Sequence, residues 1–333
     1  MIAHRRRKQV QKAATNAWQS KHNAENIVTI LGLFCSNHAQ SLAGGIAVLL
    51  ALLLSVAAAV AQKSTPQSDL VIAQPVANMH AHAAAESEVV SQVLYGTGVL
   101  ALEKQGDWTH VRTADGYTGW VAASDMRPQG ATLYAPEGRS IHVVALSANI
   151  YEEPDVTRRP ALLQLPWEAI LETVPQPSPP DIRWLKVRLV DHRTAWVQRG
   201  DVGTDTAPLT IDETIALARR FLGVTYTWGG VSSFGFDCSG FTQMLIRRRG
   251  IEMPRDADLQ ATWSGAEPVE RKDLAPGDLL FFGASPAKIT HTGMYIGHGE
   301  FIHDTTHDHP GVQISRLDDM PWTKLFVAAR RVK

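Results

Sequence analysis

The stretch Phe236-Asp237-Cys238-Ser239-Gly240-Phe241 sets a thiol on the first turn of a helix predicted from Cys238 to about Arg249, closed by Gly250. Phe241 and Leu245 supply its inner face. A helix N-terminus presents unsatisfied N–H groups and a partial positive charge, which favour a thiolate. Two histidines lie far downstream, His291 in Thr290-His291-Thr292-Gly293 and His303 in Phe301-Ile302-His303. One thiol with two imidazoles points to nucleophilic cysteine chemistry. The competing reading is a buried structural thiol, a common fate of free cysteine.

A hairpin tests whether the histidines can meet. Thr290 to Ile296 and Glu300 to Asp304 read as strands joined at Gly297-His298-Gly299. If Ile296 pairs with Glu300, paired positions sum to 596, and His291 and His303 fall on one face as diagonal neighbours. A slip of one residue separates them. His298, His307 and His309 read as structural or exposed. A metal site at His303, His307 and His309 lacks a ligand framework, so neither metal nor cofactor is expected.

Upstream of Cys238, Thr210-Ile211-Asp212-Glu213 has capping-box spacing, and Ile211, Ile215, Ala218 and Leu222 follow at helical intervals up to Gly223. Downstream, Asp278 to Phe282 reads as a buried strand and Phe326 to Val332 as a last one. Helices followed by an antiparallel sheet make this region α+β.

Before Pro208 the pattern is different. Trp108-Thr109-His110-Val111-Arg112 precedes Gly119-Trp120-Val121, and Trp184-Leu185-Lys186-Val187-Arg188 precedes Ala195-Trp196-Val197. The two tryptophans are 12 apart in both copies, with a turn between them, a hairpin signal given twice. Core packing is expected for Trp120 and Trp196, while Tyr117, beside its turn, is expected to point outward. The copies span about 71–128 and 130–204, with Pro175 to Pro180 inserted in the second as a loop. They resemble bacterial SH3-like (SH3b) domains, two small β-barrels.

The first 61 residues hold six Lys/Arg and one acid, Glu25, which leaves a mildly acidic body in a chain of net charge -1. That balance does not suggest nucleic-acid binding. Leu42 to Ala61 is apolar and uncharged and ends Ala59-Val60-Ala61, which fits a cleaved export signal or an uncleaved anchor. Residues 1–61 thus read as a leader and 62–70 as a linker. Either way the body is expected outside the cytoplasm, periplasmic or extracellular. With Cys35 in the leader, Cys238 has no intrachain partner, and a disulfide scaffold is excluded.

Residues 209–333 resemble the NlpC/P60 family of cysteine peptidases. The resemblance rests on Tyr226-Thr227-Trp228-Gly229-Gly230, Phe236 to Phe241, Pro254-Arg255-Asp256-Ala257-Asp258, Leu274 to Leu279, His291 to Gly297, and Phe301-Ile302-His303. It implies a papain-like α+β domain that cleaves bacterial cell-wall stem peptides. It implies Cys238 as nucleophile, His291 as base and acid, His303 as the orienting group, and Tyr226 with the Cys238 N–H as oxyanion donors. Two SH3b domains ahead of the peptidase resemble the subgroup of γ-D-glutamyl-L-diamino acid endopeptidases. In these the first SH3b domain closes one end of the cleft and a free N-terminal L-Ala amine is required. The carry-over sets Glu88, Tyr117, Asp237 and Asp256 near that amine, with Trp228, Ser239 and Arg255 lining the pocket. Asp237 reads equally as a helix cap, and Arg255 as an ion-pair partner. Ala257 stands where a serine is usual. The expected partner is a stem peptide or muropeptide, with diaminopimelate and lysine both open, and the protein is expected to be a monomer. Three alternatives remain: a lytic endopeptidase on intact wall, an inert wall-binding protein, and an acyltransferase or amidase.

Overall fold

The computed structural model of the chain describes residues 68–333 apart from 131, 177, 179, 205 and 206. The leader with its apolar run, Cys35, most of the linker and two prolines of the Pro175 to Pro180 insert lie outside the described residues.

Two β domains come first. The first holds β1 (Leu70–Ile72), β2 (Val76–His80), β3 (Val89–Leu94), β4 (Gly98–Gln105), β5 (Trp108–Arg112), β6 (Thr118–Ala122) and β7 (Met126–Pro128). The second holds β8 (Ser140–Val143), β9 (Ser147–Tyr151), β10 (Leu163–Pro166), β11 (Ile170–Thr173), β12 (Trp184–Arg188), β13 (Thr194–Gln198) and β14 (Val202–Gly203). Their strand orders are β3-β2-β6-β5-β4-β1-β7 and β10-β9-β13-β12-β11-β8-β14, one topology used twice. Even the turn chemistry repeats. Asp115 accepts from the Tyr117 amide at 3.3 Å and Asp191 from the Arg193 amide at 3.0 Å. The next residue is left-handed in both, Gly116 at φ 82° and His192 at φ 68°. An Asx turn asks for that geometry, and its side-chain bond helps a non-glycine residue adopt it.

Trp120 and Trp196 are only half-buried. Strand alternation turns Gly119, Val121, Ala195 and Val197 inward instead, so both tryptophans lie on the outer face. There Trp120 stacks on His110 at 5.0 Å, and Lys186 lies over Trp196. The expectation of core packing is corrected on that point. Tyr117 is likewise half-buried, packed against the first β core, with its hydroxyl donating to the Val90 carbonyl at 3.3 Å.

The C-terminal domain contains α1 (Ile211–Arg220), β15 (Val231–Ser232), β16 (Gly235–Phe236), α2 (Cys238–Arg247), α3 (Ala257–Thr262), β17 (Ala266–Pro268), β18 (Leu279–Ser285), β19 (Lys288–Gly297), β20 (Glu300–Thr305), β21 (Gly311–Arg316), α4 (Trp322–Leu325) and β22 (Phe326–Val332). The capping box of α1 forms as its spacing predicts, Thr210 and Glu213 satisfying each other's amides. The main sheet is antiparallel in the order β17-β22-β18-β19-β20-β21. One face of it packs Leu279, Phe281, Met294 and Ile302 against Phe241, Met244 and Leu245 of α2. The other face gathers Leu280, Phe282, Phe301 and Trp322. Among the described residues no helix is long and apolar enough to cross a membrane.

Both β domains reach into this core. Leu94 from the first and Trp167 from the second are buried in it, and Trp167 meets Phe221 edge-on at 5.0 Å. Polar contacts flank the plug: the Trp167 amide donates to Ser233 Oγ at 2.9 Å, and Arg220 donates to the Val144 carbonyl at 3.0 Å. A tryptophan that spans two hydrophobic cores carries a large share of the docking energy. Trp167→Ala should therefore cost about 3–5 kcal/mol of stability. Denaturant unfolding followed by far-UV circular dichroism measures it, and an unshifted midpoint would rule out the plug.

Candidate active site

The N-terminus of α2 is fixed by its cap, Asp237. Five donors converge on that carboxylate. Oδ1 accepts from the Gly240 amide at 2.7 Å, Ser239 Oγ at 3.2 Å and Arg255 Nη1 at 2.9 Å. Oδ2 accepts from the Gly229 amide at 3.0 Å and Arg255 Nη2 at 2.7 Å. A carboxylate offers about four lone-pair sites, so Asp237 has none left for a substrate amine. Of its two sequence readings, cap and clamp, the geometry is that of the cap. Arg255 is the ion-pair partner, 3% exposed, and its Nε donates to Ser91 Oγ of β3 at 3.1 Å. Burial pulls the guanidinium down, but the Asp237 charge more than reverses that, so Arg255 stays charged. Gly240 is required here, since a Cβ would lie 2.0 Å from the Gly230 carbonyl oxygen.

Cys238 follows the cap and is 8% exposed. Burial pushes its thiol up to about 12 and the Asp237 charge adds to the rise, against the Thr292 amide, Arg255 and the Ser239 amide. This reverses the thiolate expected from the helix N-terminus: desolvation of the anion outweighs the dipole. The thiol lies at the Thr292 amide, one residue from His291. Among the described residues no hydrogen bond joins the sulphur to an imidazole, and such contacts often tighten only with substrate bound.

The histidines meet through the β19–β20 hairpin. Met294–Ile302 and Tyr295–Phe301 pair on the sum of 596. The expected Ile296–Glu300 pair does not form, because a bulge at Ile296 puts Gly297 opposite Glu300. The irregularity sits at the turn end, and Met294–Ile302, on the side of the histidines, keeps the sum. His291 Nε2 lies 2.8 Å from His303 Nδ1. Gly293 allows this approach, since a Cβ there would sit 2.9 Å from the His303 Cβ. His303, fully buried, continues through Nε2 to Ser315 Oγ on β21 at 3.0 Å. For His291 to take a proton at Nδ1, its Nε2–H donates to His303, and His303 Nε2–H donates to Ser315. Trp322 covers both rings, with centroids 5.2 Å from His291 and 4.7 Å from His303. Burial lowers His291 to about 3, opposed by Asp237, and drives His303 well below its ordinary value, with His291 and His307 adding to the fall. Ser315 and Trp322 belong to no sequence motif. Only the diagonal position of Ser315, two residues past the partner of His303, could have flagged it.

The remaining candidates form the rim. Tyr226 bridges beside Phe236, and burial, then the Cys238 and Asp237 charges, raise its phenol. Trp228, 54% exposed, donates from Nε1 to Glu88 Oε1 of the first β domain at 3.2 Å. Asp256 is the N-cap residue of α3, yet its side chain makes no cap hydrogen bond. Its charge and the Tyr117 phenol both act on Arg255, so the two lie close to the buried pair. Gln243 of α2 ties this wall further, donating to Asp115 at 3.1 Å. Among the described residues no three His, Cys, Asp or Glu side chains converge as metal ligands.

Residues 223–331 match the NlpC/P60 family and residues 75–127 the bacterial SH3 domain. The gamma-D-glutamyl-L-lysine dipeptidyl-peptidase of Bacillus cereus is 29% identical over 261 residues, 74% of this chain and 75% of that one. Dipeptidyl-peptidase 6 of Lysinibacillus sphaericus is 27% identical, covering 73% and 90%. The crystal structure of an NlpC/P60 family protein from Bacillus cereus superposes with a TM-score of 0.69 at 24% identity, covering 80% of this chain and 99% of that one. That likeness speaks for the fold.

Two outcomes follow from the buried charges. Because the thiol is raised, the free protein holds it protonated at neutral pH. Iodoacetamide should therefore label Cys238 slowly at pH 7, with a rate that climbs about tenfold per pH unit into the alkaline range. A rate that levels off near pH 7 would show a depressed thiol. Removing Arg255 leaves Asp237 buried and uncompensated, so Arg255→Met should cost about 3–5 kcal/mol in chemical denaturation. A cost below about 1 kcal/mol would mean that the pair behaves as an exposed one.

Proposed function

With an NlpC/P60 cysteine peptidase domain behind a bacterial SH3 domain as the premise, we propose that this chain hydrolyses the γ-D-glutamyl-diamino acid bond of peptidoglycan stem peptides. The preferred substrate is a fragment with a free N-terminal L-Ala. The observation that carries this reading is the line His291–His303–Ser315 beside a buried thiol at a helix N-terminus.

The chemistry uses the neutral pair found at rest. As the sulphur attacks the scissile carbonyl carbon, its proton passes to His291 Nδ1. Negative charge develops on the carbonyl oxygen, facing the Tyr226 hydroxyl and the Cys238 backbone N–H. His303, anchored by Ser315, accepts from His291 Nε2–H and orients the imidazolium. The C–N bond then breaks, and His291 returns the proton to the leaving amine. Water attacks the thioester with His291 again as base, which frees the acid and restores the thiol. Because the resting thiol is raised and the imidazole lowered, proton transfer accompanies attack rather than preceding it.

The first β domain closes one end of the cleft through Glu88–Trp228 and Ser91–Arg255. With Asp237 saturated, the ammonium of the substrate falls to Glu88 and Asp256, with Tyr117 beside them. Pairing with a carboxylate offsets the cost of desolvating that charge. The chain acts outside the cytoplasm, carried there by the Leu42 to Ala61 segment.

Product analysis by mass spectrometry tests the reading. Wild type should release L-Ala-γ-D-Glu from the free tripeptide, and Cys238→Ala should release none while keeping its circular dichroism spectrum. N-acetylation of the L-Ala should slow cleavage by about 100-fold, since the acetylated amine carries no charge to pair with the carboxylates at that end of the cleft. Equal rates on both peptides would sink the amine requirement. Efficient digestion of intact sacculi would favour a lytic endopeptidase instead.

A further inference from the structure

Behind the nucleophile lies a polar group that the chemistry above does not use. Asp304 follows His303 on β20 and is fully buried, and neither carboxyl oxygen has a hydrogen-bond partner among the described residues. The Thr305 and Phe236 amides lie near it without good hydrogen-bond geometry. Alternation along β20 sends Asp304 to the same face as Ile302, which packs against α2, and away from His303. The 596 register carried on from Met294–Ile302 sets Thr292 directly across from it. Thr292 Oγ1 is also buried without a partner, and the Thr292 amide is the one that meets the Cys238 sulphur. Three oxygen atoms without a hydrogen-bond partner among the described residues thus belong to two residues, one whose amide meets the thiol and one beside the Asp237 cap. Orphaned buried polar atoms are rare in native proteins and commonly mark function.

Buried without donors, a carboxylate is costly and the neutral acid is favoured. Burial raises Asp304 to about 8 and the Asp237 carboxylate adds to the rise, while the two nearby amides oppose it. Tyr226 faces it from the loop after α1, and Asp237, backed by Arg255, faces it from the start of α2. Its partner on β21 is Val312, and the continued register sets Thr292 opposite it on β19; neither titrates.

We infer that Asp304 is a positioning residue for the reaction: as the neutral acid it lets the Phe236-Asp237-Cys238 turn and the Thr292 strand close around the sulphur, and its ionisation shuts the site. An anion there repels the Asp237 cap. It also opposes the negative charge that builds on the substrate oxygen at Tyr226. The sign is fixed by the charge: the site is competent with the proton on and impaired with it off, so turnover falls on the alkaline side.

This inference rests on the peptidase reading above, and the experiment separates the two. kcat is measured at saturating tripeptide from pH 6 to 10 for wild type and Asp304→Asn, with Cys238→Ala as control. Saturation removes the titration of the free substrate amine, which affects kcat/KM. Wild-type kcat should fall above about pH 8, approaching tenfold per unit. Asp304→Asn should lose that limb and vary by less than about threefold from pH 7 to 9.5, even if its kcat at pH 7 is up to about fivefold lower. Thermal midpoints at each pH show that both proteins stay folded. Should Asp304→Asn fail to fold, Asp304→Ser replaces it as a smaller side chain that does not titrate. A wild-type kcat without an alkaline limb, or the same limb in the substituted protein, overturns the inference and leaves the peptidase reading intact. Cleavage by Cys238→Ala overturns the peptidase reading itself.

Discussion

The buried pair of Asp237 and Arg255 is the contact on which the site depends. One carboxylate caps α2, holds the Gly229 amide of the preceding loop and neutralises a guanidinium that also reaches Ser91 of the first β domain. Neither charge is tolerable alone at this depth, so each segment is held by the need of the others. The position of Cys238, one residue past the cap, is thus set by groups from three parts of the chain. That coupling explains why α2 packs so closely against the first β domain.

Burial is also the source of the electrostatics. Trp322 shields the two imidazoles, and α2 presses Cys238 against β19, so thiol and imidazole are both neutral at rest. In the proposed reaction the charges form only when a substrate supplies a place for them. Such a site holds little free thiolate, which limits side reactions of the only cysteine among the described residues. The arrangement of buried polar atoms near the sulphur then gains weight, because burial weakens solvent screening.

The second β domain has another job. Its topology repeats the first strand for strand, yet it sends Trp167 into the core of the C-terminal domain. Of the two like domains, the first meets α2 and the second braces the C-terminal core.

Much of this was legible in the residues. Alternation and paired tryptophans marked two hairpin domains, and capping-box spacing marked α1. The 596 register placed His291 and His303 on one face, because side chains in a strand alternate strictly. Local rules fixed these features, so local sequence carried them. The outward turn of Trp120 and Trp196, the bulge at Ile296, the fourth link at Ser315 and the lid of Trp322 were not legible. Nor was the direction of the Cys238 shift, since a helix N-terminus is visible in sequence but desolvation is not. Cap against clamp at Asp237 was likewise undecidable until five donors from separated segments were brought to one carboxylate. The sequence by itself determined which groups could react and on which elements they ride. The tertiary structure decided how deep they lie and which charges they face, because both depend on contacts between residues far apart in the chain.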